Sequence, residues 1–107
     1  MLDLLWRPRA HLDRESIAIY LGLECGNPDA ALAVMRRIDA ALERARAFPD
    51  SGGHLRIEGL AHDDYRKAYA DPYVVVYRFD VTAVTVYRIL HQRQSLDAYS
   101  LVDFPSQ

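Results

Sequence analysis

The sequence of 107 residues predicts one α+β domain, made of an amino-terminal strand, a two-helix hairpin and a three-stranded antiparallel meander. Apolar side chains alternate at the amino end, recur at helical spacing between residues 28 and 47, and alternate again in three short runs after residue 64. Because short connections join the last three runs, antiparallel neighbours are favoured, with the helices covering one face of the sheet.

The first strand and first helix are predicted from a change of period near Pro8. Apolar residues alternate before this proline, which ends the strand pattern. We expect the strand to join the sheet at an edge or beside the last strand. From about Ala10 the pattern becomes helical, with Ala10 and Ile17 on one face and a stop near Gly22.

The second helix has the clearest signals in the chain. Asn27 is a typical capping residue, Pro28 suits the first helical position, and Asp29 lies near the positive end of the helix dipole. An apolar seam at spacings of four and three follows, at Ala31, Met35, Ile38, Leu42 and Ala45. The helix is predicted to end near Ala47, before the Phe48-Pro49 pair.

The second half of the chain is predicted as a loop, a connection and the meander. The glycine-containing segment 50–53 is predicted as a loop, and segment 55–64 as a long connection with at most a brief strand. The three strands are predicted over Tyr65–Ala70, Tyr73–Asp80 and Val84–His91. The last residues, 95–107, are expected to form a flexible tail or one that a partner orders.

Composition limits the function classes. Thirteen basic and fifteen acidic residues give a formal charge of −2, which argues against a protein held to bulk nucleic acid by a positive excess. The single cysteine, Cys25, excludes a disulfide framework and is expected to be buried or half-buried. No apolar run is long enough to span a bilayer and no signal peptide is visible, so we expect a soluble, cytoplasmic protein without a membrane partner.

Common catalytic and ligand-binding motifs are missing. No His, Cys, Asp or Glu cluster has metal-site spacing, no glycine-rich loop opens a helix, and no nucleophile has a recognisable context. We therefore expect neither a metal nor a cofactor.

The remaining candidate residues lie on the meander and in the tail. They are Arg66, Lys67, Arg78, Arg88, His91, Arg93, Tyr99 and Phe104. In the last strand, alternation places Val84, Val86, Arg88 and Leu90 on one face. Arg88 then interrupts an apolar face, so it is either paired with an acid or directed into a functional surface.

Several segments, in order, resemble the RelE/ParE superfamily of toxins of type II toxin–antitoxin systems. These segments are Leu5-Trp6-Arg7-Pro8-Arg9-Ala10, Asn27-Pro28-Asp29-Ala30-Ala31, Phe48-Pro49, Tyr73-Val74-Val75-Val76-Tyr77-Arg78 and Val86-Tyr87-Arg88-Ile89-Leu90-His91-Gln92-Arg93-Gln94. The match covers nearly the whole chain, and the fold that it implies has the same order of elements as the one predicted above.

The resemblance implies one of two activities. RelE-type toxins are ribosome-dependent endoribonucleases that use a basic cluster, whereas the best-known ParE-type toxins, of the plasmid stabilization type, poison DNA gyrase without being nucleases. Arg93 and Tyr99 fall near the late Arg and Tyr of a RelE-like site. Val74 and Ala68, however, stand where that site has basic residues. The chain is therefore closer to ParE, and we expect it not to be an enzyme.

We expect a growth-arresting toxin that contacts DNA gyrase and is neutralised by a cognate antitoxin. The antitoxin would wrap an extended, partly helical segment over the helix pair and the sheet; its contact residues are unknown. The expected target-binding residues are Arg66, Arg88, His91, Arg93 and Phe104. The alternative is a RelE-like endoribonuclease of translated messages, in which Arg93, Tyr99 and His91 would be catalytic. A third possibility is an inactive member kept for complex formation.

Overall fold

The computed structural model describes residues 1–56 and 64–94, and within them it confirms the α+β class. The helices are α1 (Pro8–Ile19) and α2 (Pro28–Ala47), and the strands are β1 (Asp3–Trp6), β2 (Gly53–Leu55), β3 (Tyr65–Ala70), β4 (Tyr73–Phe79) and β5 (Ala83–His91). A π-helical turn follows α1 over Tyr20–Glu24, and a 3₁₀ turn follows α2 over Pro49–Ser51.

The strands form one mixed sheet in the order β1-β5-β4-β3-β2. β1 pairs in parallel with β5, which confirms its expected place beside the last strand, and the other pairs are antiparallel. The predicted three-stranded meander gains a fourth strand, because β2 pairs with β3. Part of the expected 50–53 loop is correspondingly a 3₁₀ turn and the start of this strand.

α2 begins and ends where its sequence signals predict. The side-chain oxygen of Asn27 accepts a hydrogen bond of 3.1 Å from the backbone N–H of Ala30, which satisfies one of the free donors of the first turn. Asp29 lies in the first turn and Arg44 and Arg46 lie in the last, as the helix dipole favours.

Both helices pack on one face of the sheet, which we call the closed face. Its main core cluster joins residues of α1, α2, β3, β4 and β5: Ala10, Ile17, Val34, Ile38, Ala41, Leu42, Ala70, Tyr73, Val75, Val86 and Ile89. We call the opposite face of the sheet the open face. The smaller cluster of Tyr65 and Val76, flanked by Leu55 and Tyr87, lies there.

A β-bulge in β5 corrects the predicted alternation of that strand. Val76 of β4 is opposite Arg88, but Tyr77 is opposite Val86, so Tyr87 is an extra residue in the ladder. An extra residue exchanges the faces of all the side chains beyond it. The prediction that Val86 and Leu90 share a face is therefore wrong.

Three further expectations concern Cys25, the tail and the membrane. Cys25 is exposed, against the expected burial, because it lies at the turn between the helices rather than on a packed face. The predicted tail, residues 95–107, lies outside the described residues. Within the described residues, neither helix has the length and apolar character needed to cross a membrane.

Candidate functional site

A groove on the open face is the candidate functional site. Its volume is about 400 Å³, and it is lined by Leu55, Lys67, Tyr69, Val74, Val76, Leu90, His91, Gln92 and Gln94. Aliphatic side chains come from β2, β4 and β5, and polar side chains come from β3 and from the end of β5. The groove therefore has an apolar floor and a polar rim.

Strand alternation explains how these side chains meet. In β3, Ala68 and Ala70 pack against the helices, so Lys67 and Tyr69 project from the open face. Lys67 is opposite Val76, and Tyr69 is opposite Val74. Val74 is in turn opposite Leu90, which the bulge turns towards the same face.

The end of β5 is fixed by hydrogen bonds around His91. The backbone N–H of His91 donates to Oε1 of Gln94 at 2.8 Å, and the N–H of Arg93 donates to Nδ1 of His91 at 3.1 Å. A neutral His91 ring in this arrangement carries its proton on Nε2. The N–H of Gln92 donates to the carbonyl of Pro72 at 2.9 Å, and its side-chain amide donates to the carboxylate of Asp71. Hydrogen bonds therefore fix the conformation of the turn that forms this end of the groove rim.

Lys67 supplies a positive charge to the rim without an internal ion pair. Its ammonium lies 5.7 Å from the centroid of the Tyr69 ring, a cation–π distance. In the part of the chain that the structure describes, no carboxylate forms a salt bridge with it. Lys67 is also the only lysine in the sequence.

A second cluster on the open face joins tyrosines and arginines near the start of β3. The rings of Tyr65 and Tyr87 meet edge to face at 5.2 Å, and the guanidinium of Arg78 lies 5.4 Å from the centre of the Tyr65 ring. Arg78 donates to the carboxylate of Asp64 at 2.8 Å, and this hydrogen bond raises the pKa of Arg78. Burial raises the pKa of Tyr65. The charge of Arg78 is thus paired inside the protein.

Arg88 is paired with an acid, which is one of the two roles expected for it. Its Nε and Nη2 donate to the two oxygens of Asp13 at 2.6 and 2.9 Å. Asp13 also accepts a bond of 2.9 Å from the backbone N–H of Ile89, beyond the point where β1 ceases to pair with β5. Since the side chains of Arg88 and Asp13 are 11% and 15% exposed, this pair joins α1 to the sheet.

Arg66 holds the segment that follows α2. Its Nη1 donates to the carbonyls of Asp50 and Gly52 at 3.1 and 2.8 Å, and its Nη2 lies 3.3 Å from the Asp50 carboxylate. The buried hydroxyl of Tyr77 donates to the carbonyl of Pro49 at 2.8 Å beside it. Burial raises the pKa of Tyr77.

The structure brings together only part of the predicted site. His91 is among the residues that line the groove, although its ring meets the ring of Tyr73, a closed-face residue, edge to face at 5.5 Å, and Arg93 is exposed in the turn beside it. Arg66 and Arg88 lie elsewhere in internal pairs, and Tyr99 and Phe104 are outside the described residues. Among the residues that are described, no group of three or more His, Cys, Asp or Glu side chains could hold a metal ion.

Tyr69 is a groove residue that the sequence did not single out, and Lys67 was expected only as one of the basic residues of the meander. The alternation of Tyr65, Lys67 and Tyr69 against Arg66 and Ala68 was a visible signal. It predicted a strand but did not indicate which of its faces would lack the helices.

Solved structures of toxin–antitoxin toxins share this fold. A structure of a chromosomal ParDE system from P. aeruginosa matches with a TM-score of 0.61 at 19% identity, covering 85% of this chain and 96% of that chain. YafQ from E. coli strain BL21(DE3) matches with a TM-score of 0.55 at 13% identity, covering 86% and 94%. The E. coli DinJ-YafQ toxin–antitoxin complex matches with a TM-score of 0.53 at 12% identity, covering 85% and 92%.

A family model gives the narrower assignment. The model of the ParE toxin of type II toxin–antitoxin systems, parDE, matches residues 4–96. The chain therefore belongs to the ParE toxin family, as the resemblance in its sequence indicated. No curated protein matches it in sequence.

Proposed function

We propose that this ParE-family toxin inhibits DNA gyrase by protein–protein contact through the open face. The observation that carries the proposal is the composition of the groove, an apolar floor with a polar rim. This is the anatomy of a protein interface, in which a dry centre supplies binding energy and a polar rim surrounds it.

The apolar floor of the groove and the formal charge of the whole chain support a protein target over a nucleic acid. Docking on RNA or DNA depends on several cations that displace counterions from phosphates. Val74 lies on the groove floor, and its apolar side chain cannot bind a phosphate. The chain also has a formal charge of −2, which does not favour binding to a polyanion. His91 and Arg93 remain the predicted target contacts.

The cognate antitoxin is proposed to bind the other side of the molecule. A second groove, of about 360 Å³, is lined by Leu4, Trp6, His11, Arg14, Glu15 and Asp39 from β1, α1 and α2. β1 is an edge strand, and an edge strand can accept a further strand from a partner. Leu12 and Ile19 are exposed on α1, where a helical part of the same partner would find apolar contacts.

Induction of the toxin alone tests the target. Cells that produce it without antitoxin should stop growing, lose negative supercoiling of a reporter plasmid and keep full-length messages. Co-expression of the antitoxin should restore both growth and supercoiling. Growth arrest with unchanged supercoiling would contradict the gyrase proposal.

A RelE-like endoribonuclease is the second candidate function. The observation that favours it is the meeting of Lys67 and Tyr69 on a groove that His91 also lines, since such side chains can move protons or stabilise a phosphate. Arg93 adjoins them, while Tyr99 lies outside the described residues. This candidate predicts cleaved messages on induction and loss of the cleavage in His91→Gln.

A further inference from the structure

We infer that the groove on the open face binds an acidic segment of the target protein, with an apolar side chain of that segment seated on the groove floor. The inference rests on the proposed function, because it names the chemistry of the target at the same site. It does not require the target to be gyrase.

The first argument is the charge that the groove leaves uncompensated. Elsewhere on the described sheet, arginines are paired with carboxylates of the same chain: Arg66 with Asp50, Arg78 with Asp64 and Arg88 with Asp13. Lys67 has no such partner in the described residues, and its ammonium lies 5.7 Å from the centroid of the Tyr69 ring.

One further group extends this positive edge. Arg93 is exposed in the turn after β5, and no salt bridge joins it to a described carboxylate. The His91 ring does not contribute, because it meets the ring of Tyr73, a residue of the closed face, edge to face at 5.5 Å. No carboxylate is among the described residues that line the groove. Carboxylates of a partner would therefore meet donors that are not already bound.

The second argument is the shape and polarity of the floor. Val74, Val76, Leu90 and Leu55 form an apolar base under a rim of longer polar side chains. A volume of about 400 Å³ lies within the range of pockets that hold a compact ligand, and it has room for a large apolar side chain. Such a side chain would act as an anchor, while acidic neighbours in the segment would reach Lys67 and Arg93.

The third argument selects the target rather than the antitoxin as the source of the segment. The groove adjoins His91 and Arg93, the predicted target contacts, and lies on the face opposite the helices. The proposed antitoxin surface lies along β1, α1 and α2. The two partners would thus approach different sides of the sheet.

Charge reversal at Lys67 tests the inference in the full-length chain. Growth arrest after induction should require roughly tenfold more toxin in Lys67→Glu than in the wild type, because a charged contact is worth about 1.5 kcal/mol. Lys67→Arg keeps the charge and should stay within a few fold of the wild type. Arg36→Glu reverses an exposed charge on α2, far from the groove, and should arrest growth as the wild type does.

A second variant and two further readouts keep the result interpretable. Tyr69→Ala removes the exposed aromatic of the rim and should weaken growth arrest even if Lys67→Glu folds poorly. The affinity of the antitoxin for each purified variant, measured by calorimetry, should equal that of the wild type. Messages should remain intact in all strains.

Three outcomes would overturn the inference. Growth arrest by Lys67→Glu and Tyr69→Ala at wild-type levels would show that the groove is not used. Loss of antitoxin affinity in both variants would make the antitoxin the occupant, and loss of a message-cleaving activity would make it a nucleic acid. If the wild type arrests growth without changing supercoiling, the gyrase proposal fails, but the ratio between the wild type and Lys67→Glu still tests the groove.

Discussion

The two faces of the sheet differ in what their side chains contact. On the closed face, residues such as Ile38 of α2 and Val75 of β4 are fully buried against one another. On the open face, Val74, the direct neighbour of Val75, lies on the floor of a groove whose rim carries Lys67 and Tyr69. Adjacent residues of one strand therefore serve folding on one side and, by our proposal, binding on the other.

The difference teaches that charge pairing distinguishes the proposed binding surface better than charge content does. Arginines are frequent throughout the chain, but Arg66, Arg78 and Arg88 are paired with acids that hold loops or helices in place. The cation of the groove, Lys67, has no such acid among the described residues and is, by our proposal, left to a partner. Predictions about the closed face therefore concern stability, and those about the open face concern binding.

The largest expected effect comes from the centre of the closed face. Ile38→Ala should lower the free energy of unfolding by about 3 kcal/mol, because it leaves a cavity between α2 and the sheet. Leu32→Ala, on the exposed side of the same helix, should cost less than about 1 kcal/mol. Urea unfolding measures both values, and equal costs would show that α2 does not pack as described.

The junction between α1 and the sheet comes next. Asp13→Ala should cost about 3 kcal/mol, since it leaves the guanidinium of Arg88 and the N–H of Ile89 without their acceptor. The matched control is Asp39→Ala, which breaks a more exposed pair with Arg14 and should cost less than about 1 kcal/mol. A small effect of Asp13→Ala in urea unfolding would show that this ion pair does not hold α1 against the sheet.

Alanine substitutions at two neighbouring glycines test the packing of the segment after α2, which Arg66 and Tyr77 hold in place. A Cβ on Gly52 would lie 2.2 Å from the Tyr77 hydroxyl, so Gly52→Ala should displace that ring and cost about 2 kcal/mol. A Cβ on Gly53 would meet nothing closer than 3.5 Å, so Gly53→Ala should unfold near the wild-type midpoint. Equal midpoints of the two variants in thermal unfolding would contradict the close packing of Gly52 against Tyr77.

The smallest expected effect is a pH dependence at the turn between β4 and β5. Asp80 accepts bonds from the N–H groups of Thr82 and Ala83 and from the Thr82 hydroxyl, and these bonds lower the pKa of Asp80 below 3.8. Because the pKa of Asp80 is lower in the folded state than in the unfolded state, its ionised carboxylate stabilises the protein at pH values above the unfolded-state pKa. This stabilisation is lost as the pH falls through the folded-state pKa. The difference in urea midpoint between wild type and Asp80→Ala should therefore be present at pH 6 and shrink towards pH 3. A difference that grows on acidification would contradict this role.

Local patterns predicted most of the fold. The start of α2 follows from the Asn27 cap, and the bounds of β3 follow from alternation that stops at a turn. β2 has only three residues, and one of them is a glycine, so it is too short to show a period. It forms because β3 offers it a strand to pair with. The bulge at Tyr87 depends likewise on the pairing of two strands, so alternation within β5 alone could not reveal it.

The candidate site was less predictable because it combines residues from four strands. His91 could be singled out from its place at the end of a strand, whereas Lys67 and Tyr69 join the candidate site only through the register of β3 against β4. Arg88 could be assigned to an ion pair only from the structure, because its partner Asp13 in α1 lies 75 residues earlier in the sequence.

The most direct test of the account is a supercoiling assay with purified gyrase and increasing amounts of the purified toxin. We expect the wild type to inhibit supercoiling, Lys67→Glu to require a higher concentration for the same inhibition, and the antitoxin to restore activity. Undiminished supercoiling at every toxin concentration would contradict the claim that the open face binds this target.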